Sequence, residues 1–204
     1  MRFLCLHGRG TSAQIFELQT ARLREQLSDH EFVFIDGPVE TEPSEGAEAV
    51  ADQFFGWFEQ PASPAQAQQV LQGLVDFIDA NGPFEGLMGF SEGGIVAATL
   101  LAHDARQRFA GLECGILMSA APPLDPAGIL EGDDPPALRF LIPVVDGTAI
   151  RVPTAHVVGA NEPFAHLVSL SPLAGVLIGG GLEDPEELHQ LLFHLGEVCS
   201  RAGA

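Results

Sequence analysis

Residues 84–101 hold the stretch that most restricts what this chain can become. Gly89, Ser91 and Gly93 form Gly-x-Ser-x-Gly, after an apolar run (Phe84, Leu87, Met88) and before a helix-forming one (Ile95, Val96, Ala97, Ala98, Leu100, Leu101). That order predicts a buried strand, a sharp corner and a helix N-terminus. The corner strains the serine backbone, and the flanking glycines remove β-carbons that would collide there. The hydroxyl is pushed out at the carboxyl end of the strand. The backbone N–H of Glu92 then faces any oxyanion formed on a carbonyl that Ser91 attacks. The plainer alternative is a glycine-rich turn with an incidental serine. The strand before, the helix after and the companion loops favour a nucleophile elbow.

The rest of the chain alternates in the same way. Residues 3–6 form a short apolar run that opens into His7-Gly8-Arg9-Gly10, as a buried parallel strand would. Thr11 or Ser12 can cap a helix carrying Ile15, Phe16, Leu18, Ala21, Leu23 and Leu27. Residues 32–35 make a second strand. Ser63 opens a helix that Asn81-Gly82-Pro83 stops, and further strands fall at 115–119, 154–158 and 176–178. A helix over about 185–199 follows. The pattern predicts an α/β fold, a mainly parallel doubly wound sheet with helices on both faces, in a single domain over 1–204. Ligands bind such sheets at the carboxyl ends of the strands. His7-Gly8-Arg9, Ser91, Pro122-Pro123 and Glu162 all follow predicted strands.

Two stretches break the alternation. Residues 37–62 carry several prolines and acids together with Phe54, Phe55, Trp57 and Phe58. Loops that touch only solvent seldom hold four aromatics so close, so a lid or pocket wall is expected. A short amphipathic helix packed on the core remains equally open. Residues 122–152 read as an irregular excursion beside the site, with an apolar insert at 138–145.

Composition narrows the function classes. The formal net charge of −19 repels nucleic acid and anionic membranes, so neither is expected as a partner. Cys5, Cys114 and Cys199 are widely spaced in apolar runs, with no metal or disulfide spacing, and Cys5 and Cys114 read as core strand residues. No apolar run reaches membrane-spanning length. The first residues lead straight into a strand and do not form a signal peptide, which points to a cytoplasmic, reduced protein.

The His-Gly turn after the first strand, Phe34-Ile-Asp-Gly-Pro38, Met88-Gly-Phe-Ser-Glu-Gly-Gly94 and Val152-Pro-Thr-Ala-His-Val-Val-Gly-Ala-Asn-Glu-Pro163 occur in order from end to end. Together they resemble the small FSH-type serine hydrolases, α/β hydrolases well represented in fungi. The resemblance implies Ser91 as nucleophile and the backbone N–H groups of Arg9 and Glu92 as oxyanion hole. Glu162 falls at the acid position, usually Asp, where a carboxylate orients a histidine ring. A merely structural Glu162 stays open.

The family's histidine ends a His-x-x-Gly-His-x-x-Pro loop after the last strand. Here the matching stretch is Ile178-Gly-Gly-Gly-Leu-Glu-Asp-Pro185, with Leu182 at the base position. Without a base, a serine hydroxyl is a poor nucleophile at neutral pH. His189 can replace it only through a shifted loop, and otherwise belongs, like His194, to the surface of the last helix. His166 follows Glu162 by one helical turn, and His156 reads as a core histidine within a strand.

The expected activity is therefore esterase or thioesterase, on an apolar acyl or polyketide-type intermediate, with an atypical triad. Relatives of this family often release polyketide chains, so a carrier-protein-bound acyl chain is a possible partner. His7, Phe54, Trp57, Phe58, Pro122 and Leu182 are the candidate pocket residues. No metal and no cofactor is implied, and the oligomeric state is not readable. A non-hydrolytic step (cyclisation, isomerisation or elimination) and a non-catalytic binding module are the alternatives.

Overall fold

The structure is a computed structural model that describes residues 1–131 and 137–158, and the backbone of 177–179. Its strands are β1 (Arg2–Leu6), β2 (Glu31–Ile35), β3 (Val39–Glu40), β4 (Phe55–Gly56), β5 (Gly86–Phe90), β6 (Cys114–Met118), β7 (Thr154–Val158) and β8 (Leu177–Gly179). Six of them form one sheet in the order β2-β1-β5-β6-β7-β8. Every neighbouring pair in it is parallel. β3 and β4 make a separate antiparallel ribbon. Phe3, Leu4, Cys5 and Leu6 are fully buried, which is why β1 shows a continuous apolar run and no alternation.

Side chains leave successive strand residues on opposite faces, and two cores result. Phe3, Cys5, Met88, Ile116 and Met118 meet Phe16 of α1 (Ala13–Gln19) and Leu23 of α2 (Ala21–Gln26) on one face. On the other, Leu4, Leu6, Leu87 and Leu117 join α3 (Pro64–Asn81), α4 (Glu92–Gln107) and α5 (Pro126–Leu130). Helices on both faces of a parallel sheet make the expected α/β-hydrolase architecture. α3 starts as its sequence predicts: Ser63 accepts the N–H of Gln66, Pro64 occupies the first turn, and Gly82 caps the far end.

Chain order places the crevice. From β1 the chain goes to β2 on one side, then returns to β5 on the other. The loops after β1 and β5 therefore diverge, and the gap between them is the usual ligand position in open parallel sheets.

Several expectations need correction. The single helix expected after Ser12 is two, broken at Thr20, whose hydroxyl donates to Phe16 O at 2.8 Å. Such a back-bond bends a helix, the Thr20 backbone departs from helical values at φ −95° and ψ 4°, and Leu18 on the first piece stands 58% exposed. The 37–62 stretch is not an amphipathic helix, and Pro38, Val39, Trp57 and Glu59 within it form part of a cavity wall. It is a strap in which β3 and β4 pair around a short 3-10 turn (Ala47–Ala49), while Trp57 and Phe58 sink into the core. The strap is fastened to the loop after β1, since Gly10 donates to Phe55 O and Phe55 to Thr11 O.

The 122–152 excursion is partly regular, containing α5 and a short α6 (Pro143–Asp146). The outer end of its apolar insert faces solvent, with Val144 84% and Val145 78% exposed. β8 (Leu177–Gly179) overlaps the strand expected at 176–178. The helix expected over 185–199 lies outside the described residues. Among the described residues no helix is long and apolar enough to cross a membrane.

Candidate active site

Ser91 stands between β5 and α4 with φ 52° and ψ −115°, outside the regions that L residues favour. Such a conformation costs about 1–3 kcal/mol and persists only where its surroundings hold it. Here Ser91 N–H donates to Met118 O at 2.9 Å, and its carbonyl accepts the N–H of Ile95 at 3.1 Å. The motif glycines are required by close approach. A β-carbon on Gly89 would stand 2.4 Å from Gly93 O, and one on Gly93 2.2 Å from Leu6 O. Helix α4 can thus press its first turn against the end of β1.

Glu92 opens α4, so its N–H has no acceptor within the helix and lies at the positive end of the helix dipole. The loop after β1 comes up beside it. A β-carbon on Gly8 would be 3.4 Å from Ser91 Cβ. Arg9 follows, and its guanidinium donates to Phe58 O at 2.6 Å and lies 3.3 Å from Glu92 Oε1.

The candidate pocket residues divide. His7 is completely buried. Its Nε2 accepts the N–H of Gly37 at 2.9 Å, which fixes the tautomer and makes Nδ1 the donor to Gly8 O at 2.7 Å. Burial pushes its pKa below the usual value. The neutral ring is a clamp between the ends of β1 and β2. Phe58 is likewise a core residue at 7% exposure, while Phe54 is half-buried and Pro122 half-exposed beyond β6. Trp57 borders a cavity of about 450 Å³ shared with Ile35, Asp36, Gln66, Val70 and Phe77, and Ser91 is not among the residues that line it. Glu162, Leu182, His189, His166 and His194 lie outside the described residues.

Four of the seven histidines are described, and the contacts of their rings lie with other groups. His7 has both ring nitrogens engaged. His30 meets the N-terminal amine at the opposite end of the sheet. His103 lies three turns down α4, beside Glu131 at 3.6 Å. His156 is buried in β7 with Nε2 3.3 Å from Thr154 Oγ1, towards the start of its strand. Among the described residues no group of three or more His, Cys, Asp or Glu is gathered to hold a metal ion.

His156 gives the fold a measurable acid sensitivity. Burial lowers its pKa from 6.5 to about 4, so the unfolded chain takes up the proton first. Its contribution to stability is complete above the unfolded pKa and is lost as pH falls through that window. At about 1.4 kcal/mol per pKa unit, the loss approaches ~3 kcal/mol. Urea unfolding should show His156→Gln losing less stability than the parent between neutral pH and the lower end of the window. Equal losses would place the acid sensitivity elsewhere.

The elbow, the flanking loop and the sheet order are those of an α/β hydrolase, and sequence comparison gives the family. A family model described as Serine hydrolase (FSH1) matches residues 1–173. The chain belongs to this family. It is 34% identical over 169 residues to Esterase FPY3 of Fusarium mangiferae, covering 80% of this chain and 75% of that protein. It is 31% identical over 187 residues to Hydrolase phiM of Talaromyces stipitatus, covering 81% and 69%.

Solved structures agree on the fold. Arabidopsis thaliana SOBER1 superposes with a TM-score of 0.55 at 16% identity, covering 98% of this chain and 99% of that one. Esterase PE8 gives 0.55 at 17% identity, with 97% and 92% covered. Within the serine hydrolase family, the residues that sequence reasoning missed are the side chains behind the site. The motif marks the backbone of Glu92, but its carboxylate partner, Trp57 N–H at 2.7 Å, comes from 35 residues away.

Proposed function

We propose that this FSH-family serine hydrolase is an esterase or thioesterase acting on an uncharged, apolar acyl substrate. The strained elbow carries the reading: Ser91 at φ 52° stands where the loops after β1 and β5 diverge. Its oxygen attacks the acyl carbonyl carbon while its proton passes to a base. The resulting oxyanion accepts from the N–H groups of Glu92 and Arg9. Collapse expels the alcohol or thiol, and water then releases the acyl group from Ser91.

The described histidines are committed elsewhere, which leaves His166, His189 and His194 as candidate bases, and His189 is our choice. Glu162 is the proposed acid that orients it. The cavity beside Trp57 is walled mainly by aliphatic and aromatic side chains, but Ser91 is not among them, so the apolar substrate rests on the family resemblance and not on this cavity. The similar proteins named as esterases and hydrolases support hydrolysis over a non-hydrolytic step or a binding role. Several of them come from filamentous fungi, in keeping with an acyl intermediate of secondary metabolism as substrate.

A panel of p-nitrophenyl acetate, hexanoate and decanoate tests this reading on the parent and on His166→Ala, His189→Ala and His194→Ala. Turnover should rise from acetate to hexanoate, and His189→Ala alone should lose about 10²-fold or more in kcat. Loss in a different histidine variant would reassign the base. No turnover of any ester by the parent would contradict the hydrolytic reading.

A further inference from the structure

We infer that the side chains of Glu92 and Arg9 form a clamp that positions the two oxyanion donors, a role that rests on Ser91 being the nucleophile. The two residues proposed to supply the backbone N–H groups are joined through their own side chains, with Arg9 Nη1 3.3 Å from Glu92 Oε1. Both reach the same short segment of the strap. Glu92 Oε2 accepts the N–H of Trp57 at 2.7 Å, and Arg9 Nη1 donates to Phe58 O at 2.6 Å. The pair is well shielded, with side chains 28% and 14% exposed. Gly56 lies directly on it: a β-carbon there would be 3.0 Å from Arg9 Nη1 and 3.0 Å from Glu92 Oε2.

The consequence is mechanical. The loop after β1 and the first residue of α4 come from different parts of the chain, and their N–H groups must converge on one oxygen. A donor displaced by a fraction of an ångström loses much of its effect on the developing charge. The strap removes that freedom, since it is bonded to the β1 loop through Gly10, Thr11 and Phe55, and to α4 through Glu92. An acidic residue in a first helical turn also stabilises the helix whatever its partners. That simpler role changes stability and leaves turnover alone, so the two are separable.

The test measures kcat, KM and melting temperature on p-nitrophenyl hexanoate for the parent, Glu92→Ala, Glu92→Gln, Arg9→Met and Ser91→Ala. Glu92→Ala should lower kcat by about 10- to 100-fold with KM within about 3-fold, because a transition-state interaction is lost. Glu92→Gln keeps an oxygen for the Trp57 N–H and should recover most of that loss. Arg9→Met keeps the stem, removes the guanidinium and should lower kcat in the same manner, without altering the helix. This second arm stands even if Glu92→Ala fails to fold. Parent-like kcat in Arg9→Met and in a folded Glu92→Ala, with activity lost in Ser91→Ala, overturns the clamp and leaves the nucleophile standing. Activity retained in Ser91→Ala overturns both.

Discussion

Ser91→Gly should be more stable than the parent and catalytically dead. A glycine adopts φ 52° without the penalty that a β-carbon incurs, so the strain of about 1–3 kcal/mol is released. Some of that gain is offset by the greater chain entropy of glycine in the unfolded state. The net expectation is a rise of about 1 kcal/mol in urea unfolding. Ester turnover should fall on the order of 10⁴–10⁶-fold, as when a nucleophilic serine is removed elsewhere. Ser91→Ala should lose the same activity without the gain in stability, because its β-carbon keeps the strain. Opposite movement of stability and activity at one residue is the signature of a site that stores strain for function. A Ser91→Gly variant less stable than Ser91→Ala would mean that the elbow is not strained as described.

The second large effect lies in the strap. Trp57 is 1% exposed, its indole N–H donates to His7 O at 2.9 Å, and its backbone N–H holds Glu92. Trp57→Ala should cost about 3–5 kcal/mol, the range for emptying a fully buried aromatic site. Trp57→Phe keeps most of the volume but leaves His7 O without its donor, and should cost about 1–3 kcal/mol. Activity should fall in both, and further in the alanine variant, since the strap sets the position of Glu92. Chemical denaturation with parallel ester assays measures both quantities. A Trp57→Ala protein of parent stability would show that residues 55–58 are an appendage and not part of the core.

Most of the fold was legible because strand and helix alternation is written locally. β1 contains a four-residue apolar run, α3 carries its own cap and stop, and the elbow carries its glycines. The strap was not legible, because aromatics scattered among prolines and acids have no period that reveals their direction. Long-range bonds define it, among them those of Phe55 with Gly10 and Thr11 and of Trp57 with His7 and Glu92. The same holds at Thr20, where a continuous apolar spacing concealed the break between two helices.

Within the site, the motif located Ser91 and the backbone of Glu92 directly. His7 is fixed at the end of β1 by two hydrogen bonds that no local pattern reveals. The ion pair of Arg9 with Glu92 joins positions 83 apart, a distance at which no local pattern operates.

The central claim is that Ser91 is an activated nucleophile, and covalent labelling tests it most directly. The parent protein, treated with a fluorophosphonate at neutral pH, is followed by intact mass and then by peptide mapping. The account predicts one adduct per chain, on Ser91, absent from Ser91→Ala and strongly slowed in the variant that removes the histidine base. Parent protein that stays unlabelled while folded, or labelling at another residue with Ser91 unmodified, would contradict it.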